Sequence, residues 1–276
     1  YLIGRLFESF GGVEHFARLF FTDPSSFYLL GRMLLGVLLG TASVYALHQL
    51  MKKFFSRQHA LLSAFFFSFS FLHVRDSHYI YLDIPLVLVL ILCFFPILNI
   101  LGSGRRKDYV VFGILAGVAV GTKYNGFFIV VPFLIAHLLK KGRKISGFVS
   151  LDLWIAGLCS AVSFIAVNPF TLLDYRLFLR HLFSMKEFEG YVGFFHHFEY
   201  STISALGIPL VVLGAVGILL VLMDRDKKKL PILFFILGYY VVLCFFGQVH
   251  DRYVLPVLPF LIFFAADALV EGRKYF

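Results

Sequence analysis

The sequence predicts an all-α protein, a polytopic bundle of about nine transmembrane helices with amphipathic helices lying on one external membrane face. Three observations carry that prediction. Hydrophobic residues make up 60% of the chain and charged residues only 15%, against roughly a quarter charged in an average soluble domain. Mean hydropathy is +0.87. Most of the 25 basic residues gather in five short clusters between long apolar stretches: Lys52, Lys53 and Arg57; Arg105, Arg106 and Lys107; Lys140, Lys141, Arg143 and Lys144; Arg225, Lys227, Lys228 and Lys229; Arg273 and Lys274.

A crossing needs about 20 mainly apolar residues, which places spans at 27–50, 59–74, 84–102, 109–122, 126–140, 148–168, 203–223, 230–247 and 254–270. Threaded this way, all five basic clusters fall on one side. Short loops rich in Lys and Arg stay cytoplasmic, so topology accounts for the net charge of +9 and no nucleic-acid partner is expected. Function is expected on the opposite, external face. The whole of 1–276 reads as a single membrane domain without internal repeats. Because it opens on Tyr1 with its first span running inward, a further crossing is expected upstream.

The first external segment, 1–25, mixes aromatic and aliphatic residues with Arg, His and Glu, as helices in the interface do. The span that follows carries Arg32 about five residues inside its outer end, where it suits either snorkelling or a ligand. Asp83 opens the third span just before Ile84 and Pro85, a setting that suits a first helical turn and its positive dipole end. The fourth span is short, so its turn, Thr122-Lys123-Tyr124-Asn125-Gly126, is expected below the outer surface, a depth at which irregular backbone survives only inside protein or against a wet cavity. Gly113, Gly117 and Gly121 recur every fourth residue on that helix, the pattern of a close helix contact. The second external segment, 171–202, shows helical spacing of Leu172, Tyr175, Phe178, Leu179, Leu182 and Phe183, with Arg176 and Arg180 on another face. Cys93, Cys159 and Cys244 all lie in apolar stretches and read as core residues rather than a disulfide framework.

Ionisable groups in or beside crossings are costly and mark substrate pathways. Arg32, Arg75, Lys123 and Arg252 come from four segments at one depth, and together they suit a phosphate headgroup entering from the lipid. Each also has a local explanation: Lys123 at a helix carboxyl end, Arg75 paired with Asp76, and Arg252 paired with Asp251. External histidines, His78, His181, His196, His197 and His250, together with Asp83, leave a divalent metal possible, although no His-Glu-x-x-His spacing is present. There is no Gly-rich phosphate loop and no nucleophile elbow.

Four motifs occur in order: His73-Val74-Arg75-Asp76-Ser77-His78-Tyr79-Ile80-Tyr81-Leu82-Asp83 before an apolar helix, Gly117 to Gly126 around Thr122-Lys123-Tyr124-Asn125, Asn168-Pro169-Phe170, and Arg252-Tyr253-Val254-Leu255-Pro256-Val257-Leu258-Pro259. In that order the chain resembles the GT-C membrane glycosyltransferases, specifically the dolichyl-phosphate-mannose protein mannosyltransferases and the aminoarabinose transferases of lipid A. The resemblance implies transfer of a sugar, with inversion, from a polyprenyl-phosphate donor to a lipid, glycan or protein acceptor at the outer or lumenal face. The expected setting is a prokaryotic cytoplasmic membrane with the active site external.

It implies Asp83, with Asp76, as candidate catalytic carboxylates. Lys123, Arg75, Arg252 and Arg32 would hold the donor phosphate, and His78, Tyr124, Asn125, His250, Asp251 and Tyr253 would contact substrate. The family's acidic pair in the first external loop has no match here and is expected upstream, as the principal base, with Asp83 orienting substrate. No organic cofactor is implied. A transporter or lipid flippase is the alternative, disfavoured because such proteins often show paired broken helices in inverted repeats and this chain has one short hairpin.

Overall fold

The computed structural model describes residues 11–142, 150–183, 195–223, 226–245 and 250–272, and among these residues all regular structure is helical. Helix α1 (Gly12–Thr22) leads into a long helix, α2 (Ser25–Phe54). Then come α3 (Arg57–Ser68), α4 (Phe71–Asp76), α5 (Asp83–Gly102), α6 (Arg106–Thr122) and α7 (Val130–Lys141). The second half comprises α8 (Leu151–Val167), the short α9 (Phe170–Leu173), α10 (Tyr175–Phe183), α11 (Ile203–Met223), α12 (Lys229–Leu243) and α13 (Leu258–Glu271). Four helices are long and apolar enough to cross a membrane: α2, α5, α11 with the residues before it, and α13 with the turn that precedes it. Helices α8 and α12 are apolar but shorter.

Helix α5 is apolar on all sides because it is enclosed on all sides, with α2, α6 and α7 packed around it. Its Phe94 meets Phe235 of α12 and Phe260 of α13 at ring-centroid distances of 5.6 and 4.4 Å. Phe112 and Phe133 stack face to face at 3.9 Å between α6 and α7. Cys93 and Cys244 are buried and Cys159 half-buried, all three as free thiols. Against lipid, apolar side chains of α2, α8 and α11 remain exposed, as expected where the solvent is hydrocarbon.

The glycine stripe makes the contact its spacing predicts. A Cβ on Gly113 would lie 2.4 Å from the carbonyl oxygen of Ala156, and one on Gly117 would lie 2.3 Å from that of Ser160. Backbone therefore meets backbone along α6 and α8. The Ser163 hydroxyl donates to the Ile114 carbonyl at 2.8 Å and the Asn168 amide to that of Gly121 at 3.1 Å. Gly117→Ala is expected to lower stability by about 1–3 kcal/mol through overpacking, read as a lower unfolding midpoint in detergent. Gly157→Ala, on the open face of α8 with nothing near its Cβ, should be neutral or gain up to about 1 kcal/mol from helix propensity.

Three sequence expectations are revised. The 59–74 span is not one helix: α3 ends at Ser68, Ser70 adopts an extended ψ of 121°, and α4 restarts at Phe71. The fourth helix begins at Arg106, earlier than the apolar count suggests, because Arg106, Lys107 and Asp108 supply its first turn. Its turn is tighter than a loop: only Lys123 is extended (φ −159°, ψ 135°) before a 3-10 turn, Tyr124–Ile129, feeds α7. In the external segments, α1 and α10 are helical and bury no residue, the behaviour of interfacial helices; the 184–194 portion lies outside the described residues.

Candidate active site

The site is built from interruptions between helices. Loop 77–82 leads to α5, the Lys123 break joins α6 to the 3-10 turn, and a second 3-10 turn, Asp251–Val257, leads into α13. A fourth piece, the π-helical turn His197–Thr202 ahead of α11, packs on the Asp251–Val257 turn. Proline explains two of these: Pro85 sits in the first turn of α5 and Pro259 in that of α13, where missing N–H groups cost nothing, and Pro256 lies inside the 3-10 turn that precedes α13. Helix α2 approaches the loop closely. A Cβ on Gly36 would lie 1.9 Å from the Ser77 carbonyl oxygen, so only glycine fits there.

Asp83 is the hub. Its side chain is 3% exposed, Lys123 Nζ donates to Oδ1 at 2.7 Å, and Arg252 Nε lies 3.6 Å from Oδ2. Two cations from breaks about 130 positions apart thus share one carboxylate. Aromatic faces complete their shell: Lys123 lies 4.7 Å from the Tyr253 ring centre and Arg252 lies 4.5 Å from that of Tyr81, placements that favour a cation in a poorly hydrated setting. Beside this group, Arg75 Nε donates to Asp76 Oδ1 at 2.8 Å and its Nη1 lies 3.6 Å from Asp251 Oδ2. Its guanidinium is held more firmly protonated than usual, chiefly by the hydrogen bond to Asp76. The Ser201 hydroxyl donates to Asp251 Oδ1 at the long distance of 3.5 Å and meets His197 Nδ1 at 3.3 Å.

The arrangement therefore has two halves joined at the Asp251–Arg252 peptide. One half has two cations for one carboxylate, and the other has two carboxylates for one cation. The three acids differ in access: Asp76 is 1% exposed, Asp83 is 3% and Asp251 is 46%.

Most of the residues expected from sequence are brought together, with corrections. Asp83 does not cap α5 through its side chain; Lys123 and Arg252 take both its oxygens instead. Arg252 does not pair with its neighbour Asp251 but reaches across to Asp83, while Asp251 turns to Arg75. The Arg75–Asp76 pair forms as expected. Arg32 stands apart: it is exposed on α2 and no described hydrogen bond or ion pair joins it to the other three cations. Asn125 donates to the Tyr239 hydroxyl at 2.6 Å, and its buried Oδ1 has no partner. The His250 ring sits edge-on to Tyr253 at 5.2 Å. His78 Nδ1 bonds the Val74 carbonyl at 2.7 Å, and Tyr124 is exposed.

The divalent metal is not supported. Among the described residues no three His, Cys, Asp or Glu side chains form a cluster that would hold an ion, and the oxygens of Asp83 face cations. Sequence reasoning passed over Tyr239, Tyr81 and Ser201. Tyr239 carried a usable signal, one of two adjacent phenols, with Tyr240, in a mainly apolar helix, because a buried phenol needs a partner.

The family model described as dolichyl-phosphate-mannose-protein mannosyltransferase matches residues 16–172, more than half of the chain. The chain belongs to that family. Its fold is that of GT-C membrane glycosyltransferases. ArnT from Cupriavidus metallidurans bound to undecaprenyl phosphate superposes with a TM-score of 0.71 at 16% identity, over 89% of this chain and 47% of that one. The apo form of the same protein gives 0.67 at 16% identity, over 88% and 46%. This chain therefore spans about half the length of the ArnT it matches. No curated protein matches it.

Proposed function

We propose that this protein transfers a glycosyl group, with inversion, from a polyprenyl-phosphate donor to a lipid, glycan or protein acceptor at the membrane face opposite the basic loops. The observation that carries this reading is the convergence of Lys123 and Arg252 on Asp83, beside an acid-rich half built on Arg75. Displacement at an anomeric carbon needs both. As the acceptor hydroxyl oxygen bonds to the anomeric carbon and the bond to the phosphate oxygen breaks, negative charge grows on the departing polyprenyl phosphate. Fixed cations at that point lower the barrier. The acceptor's proton must go to a carboxylate within reach. Of the three described acids at the site, Asp251 is open enough to receive it, while Asp76 and Asp83 are buried under guanidinium and ammonium groups and hold these in place.

The remaining assignments follow from position. Tyr253 and Tyr81 flank the cations. We assign His78, His250 and Tyr124 to substrate contact, and α10, in the second external segment, to covering the site. The undecaprenyl phosphate bound to ArnT, which shares the fold, supports a polyprenyl-phosphate donor here; family membership supports the transferase class.

Two substitutions test the reading in membranes containing the full-length protein, supplied with radiolabelled lipid-linked sugars. Lys123→Ala should cut transfer by about 10²–10³-fold. Asp251→Asn should cut it by about 10²-fold while leaving donor binding in place. Full turnover by Lys123→Ala would reject the cationic site, and full turnover by Asp251→Asn would remove Asp251 from proton transfer.

A further inference from the structure

A second site lies at the other end of α5, roughly 27 Å along the axis from Asp83 to Leu101 at 1.5 Å per residue. There a cavity of about 570 Å³ opens between the carboxyl ends of α2, α5 and α7 and the turn before α12. Its walls are Phe54, Leu98 and Leu101, and its rim carries Lys140, Lys227 and Lys228. Three helix ends meet here, each with its negative dipole pole and unpaired carbonyls. Two of the lysines answer them: Lys140 Nζ donates to the Gly102 carbonyl and Lys228 Nζ to that of Phe54 at 3.2 Å. An ammonium has three donors, so each retains two after that bond. Lys227 is exposed and enters no described ion pair. Among the described residues the one acid on the rim is Asp226, which accepts the Lys228 backbone N–H at 3.0 Å, so the described rim lysines outnumber the described acids by two. A further cation, Lys53, stands 4.9 Å over the Phe54 ring.

A pocket with apolar walls inside the bundle and a lysine rim at its mouth has the two halves of an anionic lipid, acyl chain and phosphate. Basic pockets between helix ends recognise such headgroups, and a soluble phosphate would gain nothing from Phe54, Leu98 and Leu101. We propose that this cavity binds the phosphodiester headgroup of an anionic glycerophospholipid, at a site separate from the Asp83 cluster.

Native mass spectrometry of the delipidated protein in detergent tests this, with phosphatidylglycerol and phosphatidylcholine as probes. The protein should retain one phosphatidylglycerol at least tenfold more than phosphatidylcholine, and Lys227→Gln/Lys228→Gln should lose that preference. Millimolar inorganic phosphate should not displace the lipid. Equal retention of the two lipids, an unchanged preference in the double variant, or displacement by inorganic phosphate would each overturn the proposal, the last by pointing to a soluble phosphate. Both lysines are exposed, so the fold should tolerate their loss. Should the double variant nevertheless misfold, Lys227→Gln alone must lower retention at least threefold, and no change in it would overturn the proposal as well.

Discussion

Replacing Lys229 with Met is expected to destabilise the protein by about 3–5 kcal/mol, the cost of breaking a buried ion pair by removing one partner. Lys229 opens α12 and is 3% exposed. Its Nζ donates to Asp267 Oδ2 of α13 at 2.8 Å, and His59 Nε2 of α3 lies 3.0 Å from Oδ1 of the same carboxylate. Asp267 is fully buried, and His59 is in turn oriented by Ser56, whose hydroxyl meets its Nδ1 at 2.8 Å and caps α3. The early helix α3 and the consecutive helices α12 and α13 are thus pinned at one buried carboxylate, beside the Phe55, His59 and Phe263 rings.

Removing the ammonium leaves Asp267 with His59 as its remaining partner in a site with no access to water. The expected rescue is diagnostic: Lys229→Met combined with Asp267→Leu should recover more than half of the loss, because replacing both members of a buried pair with apolar residues is often near neutral. Unfolding midpoints in detergent for the single and double variants measure this. Equal destabilisation by both would show that packing, not charge pairing, holds these helices together.

The bundle itself was legible in the chain because lipid leaves few options. Every span must be a helix that satisfies its own backbone, so apolar length and basic clusters locate nearly every helix, and Gly113 and Gly117 mark the contact face of α6 without naming α8 as its partner. The breaks were legible only in part. Lys123 stood out because a charge and a turn fell where the helix was too short, whereas the interruption at Phe69 left only Ser68 and the N-cap Ser70 as its trace, weak marks in a mainly apolar run. At the site, the right residues were visible and their pairing was not. Adjacency in sequence favoured Arg252 with Asp251, but the 3-10 turn directs the two side chains to different partners, and no local pattern encodes that choice. The Lys229–Asp267–His59 group showed only one mark, Asp267 inside the last span; its partner Lys229 sat within a basic loop cluster, and its burial depends on α3 and α13 meeting it.

In the proposed reaction, Asp83→Asn should lower the rate of glycosyl transfer by about 10²–10³-fold without weakening donor binding, and this split distinguishes a residue that places cations from one that merely binds substrate. The carboxylate holds Lys123 at 2.7 Å and Arg252 at 3.6 Å, so in the resting site both cations are partly neutralised and fixed. Asparagine keeps the shape and removes the charge. The released cations then attract the donor's phosphate as strongly as before or more so, which lowers KM or leaves it unchanged. But they are no longer held where charge develops on the leaving oxygen, and interactions present only in the transition state set kcat. Lys123→Ala behaves differently: it removes a phosphate contact in both states, so KM rises as kcat falls. Steady-state kinetics against a series of lipid-phosphate sugar concentrations separates the two. A rise in KM for Asp83→Asn equal to that for Lys123→Ala would show Asp83 touching the donor itself, and an unchanged kcat would remove it from the machinery altogether.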